Sequence, residues 1–328
     1  MPIAYLFYLG EELIMRKYYK TVLIIILGLI GTYYLFNSNV YFPSNKESIT
    51  SITTDSEDRG IGNTVAYGIK NLEGEHIDNG TALSSKNNKV SVVVSIDHNM
   101  DEDRKYALLI FDNYKQKTFI VENKEQVVNK HFFEMKSNSS INIKVSTSID
   151  SNSRELTFLL VKKPEYNLRE KDLNRAAVLG EVLSMRFSIN DSDIMEENSE
   201  VRPDAIIRDG LYENLFVTNS KKKLQSIITE KEGKKLILSA GNDSNAEIRY
   251  AIIALKDWEQ DTVIDNKIVL YTTVAPETRH LFHFNLPNVK TESNFQFIAF
   301  PFPYDVSDNN YESQQAFGSF RIVIQNDE

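Results

Sequence analysis

The chain carries one passage twice. Residues 106–118 read YALLIFDNYKQKT, and residues 250–262, 144 positions later and without a gap, read YAIIALKDWEQDT. Tyrosine, alanine, an aliphatic run, an aromatic at Tyr114 or Trp258, then glutamine and threonine recur in order. Further blocks follow. Val94-Ser95 matches Leu238-Ser239, LTFLLVKKP (156–164) matches FQFIAFPFP (295–303), and SMRFSIN (184–190) matches SFRIVIQ (319–325). His131-Phe132-Phe133 reads as the partner of His280-Leu281-Phe282 after a small insertion. Blocks in one order with small changes of offset mean a tandem repeat of one structural unit.

Within each unit, runs of β-branched and aromatic residues alternate with turn chemistry every ten residues or so, the spacing of a β-sandwich. Strands are expected near 63–71, 89–97, 105–114, 118–122, 129–136, 141–148, 155–162 and 184–190. In the second unit they are expected near 212–218, 224–229, 234–240, 248–257, 268–274, 279–284, 294–300 and 319–325. The strand holding Tyr106 or Tyr250 is apolar throughout, so it reads as the central, doubly buried strand, with Tyr114 or Trp258 plugging its far end. LREKDLNRAAVLGEVL (168–183) has helix-favouring composition and predicts one or two helical turns at the sandwich end. In strand number, spacing and unit size, each repeat resembles the immunoglobulin-like superfold. The chain has no cysteine, so the disulfide of antibody domains is absent. A resemblance at that level implies fold and little about activity.

Ahead of the repeats, Arg16, Lys17 and Lys20 precede an uncharged stretch, TVLIIILGLIGTYYLF (21–36), extended to residue 42 by further aromatics. Its length and aromatic ends suit a membrane-spanning helix. The basic flank places residues 1–20 in the cytoplasm, and residues 37–43 lack the small-residue pattern of a cleavage site, so an uncleaved signal anchor is expected. Gly10-Glu11-Glu12 lies just before Met15 in the manner of a translated ribosome-binding site, so Met15 is a second candidate start. The expected organisation is therefore all-β: a transmembrane helix (21–42), a polar stalk (43–62) and two tandem immunoglobulin-like sandwiches (63–191 and 205–328). An acidic linker (192–204) joins the two.

A net charge of −9 argues against nucleic acid or anionic lipid headgroups as the main partner, since both reward clustered Lys and Arg. No G-x-S-x-G, S-x-x-K, H-E-x-x-H or glycine-rich phosphate loop occurs. No catalytic residue or cofactor is expected. The loop DHNMDED sets oxygen donors at Asp97, Asn99, Asp101 and Asp103, a spacing that could wrap Ca²⁺, although acidic loops between strands are commonly solvated. FPFPY (300–304) opens an aromatic, proline-stiffened loop, and Phe302, Tyr304 and Tyr311 are candidates for partner contact. The alternative is that the rings cap the core. The sequence thus points to a membrane-anchored, extracellular binding or scaffold protein of the cell envelope, with the bilayer and an envelope protein as its partners. An accessory or sensor subunit of a transport or secretion complex, or a surface hydrolase, is the alternative.

Overall fold

The computed structural model describes residues 63–122, 126–189 and 200–326. The expected membrane helix, the stalk and most of the linker lie outside them. No helix among the described residues is long and apolar enough to cross a membrane. The described residues form one compact body, mostly β-sheet, with four sheets in two pairs.

In the first half one sheet runs β2 (His76–Ile77), β1 (Thr64–Lys70), β3 (Lys89–Asn99), β9 (Ser139–Ser148), β6 (Phe119–Val121), β7 (Gln126–Val128). It faces β11 (Val182–Ser188), β10 (Glu155–Lys162), β4 (Arg104–Asp112) and β5 (Lys115–Gln116), with β8 (His131–Met135) also paired to β4. In the second half one sheet runs β12 (Ala205–Ile207), β19 (Thr278–Asn285), β15 (Lys235–Asn242), β13 (Phe216–Thr218). The other runs β14 (Thr229–Lys231), β22 (Ile322–Gln325), β20 (Ser293–Pro301), β16 (Ile248–Lys256), β17 (Glu259–Asp261), with β18 (Leu270–Val274) on β16 and β21 (Phe317–Gly318) on β20.

Register makes the duplication literal. Tyr106 stands opposite Lys162 and Asp112 opposite Leu156; Tyr250 stands opposite Pro301 and Lys256 opposite Phe295. Both tyrosines are fully buried. Each strand alternates faces, so Tyr106, Leu108 and Ile110 fill the first core, while Ala107, Leu109 and Phe111 point the other way. Tyr250, Ile252 and Ala254 likewise fill the second core, and Ala251, Ile253 and Leu255 point outward. The outward sets meet. Together with Leu159, Val161, Ile298 and Phe300 they form a third apolar core between the halves. The central strands are apolar throughout because each has a core on both sides.

The expected arrangement of two units on an exposed linker therefore needs correcting. The halves pack back to back, and of the linker the described residues 200–204 lie on the second half. Val201 is buried in its core, its N–H bonded to the Tyr271 carbonyl at 2.9 Å, and Asp204 accepts from His283. The predicted helical turns exist as α1 (Leu173–Gly180), capped by Asp172. They pack Ala176 and Leu179 against Ile228 and Phe320 of the second half rather than closing a sandwich end alone. Gly318 allows the close approach there, since a Cβ on it would fall 2.0 Å from the Gly180 carbonyl oxygen.

Two further expectations change. The stretch 224–228 is loop, and the pairing there begins at Thr229, parallel to β22. His131 and His280 are not equivalent. His131 pairs with Leu108 on β8, whose counterpart is Leu270 opposite Ile252, whereas His280 lies on β19 opposite Ala240. An aromatic-rich triplet recurring on two different strands created the false match.

His280 is buried with its Nδ1 2.8 Å from the Thr272 hydroxyl, and burial holds its pKa below the ordinary imidazole value. Its stabilising share is complete above the unfolded pKa of about 6.5 and falls away as pH drops below it, because the unfolded chain takes the proton first. The variant His280→Asn should flatten the acid limb of a stability-versus-pH curve just below that value, read by urea melts.

Candidate functional site

Each central strand turns back through two left-handed residues, Asn113 and Tyr114 (φ 48° and 64°) or Asp257 and Trp258 (φ 48° and 68°). This is the twist a tight hairpin requires, and Asn and Asp tolerate it at the first position. Both turns lie at the junction, where a reciprocal pair of glutamines locks them together. The Gln116 N–H donates to Gln260 Oε1 and the Gln260 N–H to Gln116 Oε1, each at 2.7 Å. Gln116 Nε2 reaches the Trp258 carbonyl at 3.0 Å, and Gln260 Nε2 reaches that of Tyr114 at 2.7 Å. Every bond has its mate under exchange of the halves. The junction is a pseudo-two-fold.

Arginines follow the same exchange. Arg186 sends Nη1 to the Pro301 carbonyl at 2.7 Å, and Arg321 sends Nη2 to the carbonyl of Lys162, the residue matching Pro301. Their surroundings then part. Arg186 meets Glu155 through Nε at 2.8 Å and Nη2 at 3.2 Å, and Tyr114 donates its hydroxyl to the same carboxylate. Burial alone would weaken the guanidinium's hold on its proton, but Glu155 and Tyr114 outweigh that and raise its pKa. Burial first, then the Glu155 charge, drives the Tyr114 phenol far above its ordinary value. In the second half Asn294 stands where Glu155 stands in the first, and Trp258 where Tyr114 stands. Arg321 is almost fully buried, with no carboxylate within ion-pair distance among the described residues. It stacks 4.6 Å over Trp258, and its Nε has no hydrogen-bond partner. Burial pulls its pKa below the ordinary arginine range.

Beside this second arginine the junction opens into a pocket of about 650 Å³. Lys105, Lys130, Phe132, Phe133, Glu134, Pro164, Glu165 and Asn167 line it from the first half, and Asp257, Trp258, Glu292 and Asn294 from the second. Its charged groups are tied: Lys130 to Glu259 at 2.9 Å, Lys105 to Glu165 at 3.9 Å, Glu134 to Lys136, and Glu292 to Arg169 at 2.9 Å. No residue of this pocket was singled out by sequence alone except Trp258 and the block residues Phe132, Phe133 and Pro164. The pairing of distant loops carries no local signal.

The predicted sites fare differently. Asp103 is held by Lys136 at 2.7 Å and by the Ser137 N–H at 2.9 Å, while Asp97 and Asn99 are exposed on β3 around a buried His98. No group of three or more His, Asp or Glu side chains placed to hold a metal ion exists among the described residues. Phe302 packs against the second core, and Tyr304 joins the core between the halves, its hydroxyl 2.6 Å from that of Tyr271. Tyr311 is 74% exposed.

No family model matches the sequence, and no curated protein does. Among solved structures the chain is similar at 8% identity to a red sea bream transglutaminase, with a TM-score of 0.19 over 80% of this chain; it spans only 31% of that enzyme. It is similar at 10% identity to the YadV chaperone (TM-score 0.22, 77% of this chain and 96% of that one). A Salmonella enterica SafA pilin in complex with the SafB chaperone gives 10% identity and a TM-score of 0.24, over 78% and 96%. Scores at that level carry no argument about activity.

Removing one partner of a buried ion pair strands the other, so Arg186→Met should cost about 3–5 kcal/mol. The reverse change, Asn294→Glu, gives Arg321 the carboxylate its counterpart has, and pocket space is available beside it. A gain on the order of 1–2 kcal/mol is expected from a hydrogen bond to a charged group. Denaturant melts of both variants check this, and the asymmetry is wrong if Asn294→Glu destabilises the fold.

Proposed function

We propose that this is a non-enzymatic binding or scaffold protein of a cell envelope: two tandem immunoglobulin-like sandwiches carried outside the cell on a helix spanning residues 21–42. The immunoglobulin-like assignment draws support from strand order. In the first half β1-β3-β9-β6 faces β11-β10-β4, the ABED and GFC arrangement of such domains. In the second, β15-β19 faces β22-β20-β16, with β14 parallel to the last strand, as Ala82 is parallel to Ser188 in the first.

The observation that carries the binding reading is the junction itself. Arg186, Glu155 and Tyr114, a buried acid–base cluster of the kind that draws attention as chemistry, bond to each other and to backbone across the two-fold. They hold the halves together. What remains open is a preformed, rigid-walled pocket of mixed aromatic and polar lining, which suits recognition.

A surface hydrolase is the second reading, favoured by four carboxylates in that pocket. Each has a cation or amide partner rather than a second carboxylate, which suits binding better than acid–base work. Crosslinking in intact cells, followed by mass spectrometry, is the test. Recovery of a recurrent envelope protein attached through residues 63–326 is expected. If the chain instead crosslinks to nothing and Glu134→Gln with Glu292→Gln abolishes a glycan- or peptide-cleaving activity, the hydrolase reading replaces it.

A further inference from the structure

The junction pocket has a sister across the pseudo-two-fold, and the sister is full. Phe132 matches Tyr271, both opposite the matched alanines Ala107 and Ala251. Lys105 matches Arg249, Trp258 matches Tyr114, Pro164 matches Pro303 and Glu165 matches Tyr304. On the sister side the Tyr304 ring stacks on Tyr271, with centroids 6.3 Å apart, and sits 5.2 Å from Tyr114. On the pocket side an exposed Glu165 takes the tyrosine's place, and the space for a ring remains.

The sheet edge beside each site differs in the same sense. Residues 200–201 cover the outer edge of β18: the Val201 N–H bonds to the Tyr271 carbonyl, Val201 is buried, and Glu200 accepts from Thr273 and lies 4.0 Å from Arg249. The outer edge of β8 carries no strand among the described residues, and Phe132 there is 49% exposed. Lys105, in the place of Arg249, has among the described residues only the loose contact with Glu165. A sheet edge next to an aromatic pocket is a template for strand addition.

We propose that β8 and the junction pocket bind an extended peptide segment of a partner protein. The segment pairs along the outer edge at Phe132, sets an aromatic side chain among Phe132, Phe133, Pro164 and Trp258, and turns an acidic residue toward Lys105. The occupant is read from the chain's own solution on the sister side, where an acidic and an apolar residue cover the edge and a tyrosine fills the hole. The pocket walls come from both halves and continue the interface already described. This inference rests on the binding reading and gives that reading a site.

Trp258 is the chain's one tryptophan, so its fluorescence reports on the pocket directly. The probe is a synthetic peptide, acetylated and amidated, of sequence SEVYPD: residues 199–204 with tyrosine in the place of Arg202, two positions from Glu200 and so on its face, whereas Val201 faces the sandwich core. Titrated into the full chain, it should change Trp258 emission saturably. The parent sequence SEVRPD should bind about tenfold more weakly, the worth of one buried ring. Phe132→Ser, at an exposed position, should keep the parent melting temperature and weaken SEVYPD about tenfold as well. No saturable change with SEVYPD overturns the site, as does equal binding of SEVRPD or of the Phe132→Ser protein. Partners crosslinked as strongly by Phe132→Ser as by the parent would remove this site and leave the binding reading in place.

Discussion

The structure depends on one contact: the same face, used twice, packed against itself. A surface that pairs with its own copy must be complementary to itself, so that each residue reaching across is answered by its equivalent reaching back. Gln116 and Gln260 meet that condition bond for bond, and Arg186 and Arg321 do so at the matching carbonyls of Pro301 and Lys162. Two homologous units joined in one chain have the pairing built in, without the concentration dependence of a dimer. The result is a four-layer stack with an apolar core between each two neighbouring layers, of which the middle one belongs to neither half.

Departures from symmetry are the informative places, because duplication would by default preserve it. One buried arginine keeps a carboxylate, and the other has an amide at that position and the face of an indole instead. One side of the junction is closed by Tyr271 and Tyr304, and the other is open. One β8-type edge is covered by chain, and the other carries no strand among the described residues. These differences all lie on the same flank, between β8 and the Asp257–Trp258 turn.

Much of this was legible in the sequence and some was not, for physical reasons. The ungapped repeat predicted the equivalence of Tyr106 and Tyr250, and the long strands fell where β-branched runs lie between turns; β10 was predicted to the residue. The apolar run YALLIFD announced a strand buried on both faces, but periodicity is silent about what buries the second face. A neighbouring helix layer, a partner protein or the other repeat leaves the same pattern. Polar ties hid for a related reason. Gln116 and Glu155 look like ordinary surface residues until the fold brings them to Gln260 and Arg186, so charge and polarity alone suggested solvent. The aromatic loop left two readings open, partner contact and a cap on the core. Phe302 and Tyr304 adopt left-handed backbone (φ 50° and 66°) and pack against the second core and the middle core.

A locked junction also decides what kind of binding the molecule can do. Two domains on a flexible joint close around a ligand, and part of the binding free energy goes into ordering the joint. Here the pocket's walls, Phe132 and Pro164 on one side and Trp258 and Asn294 on the other, are fixed by the middle core, the glutamine pair and both arginines before anything arrives. Asn294 is held in place from its own turn, its N–H bonded to Asp257 at 2.8 Å and its amide to Asn167 of the other half at 2.6 Å. Recognition at such a site depends on fit rather than closure. On the binding reading proposed above, affinity would track the integrity of the interface, and a substitution far from the pocket that loosens the central strands would weaken binding without touching the ligand.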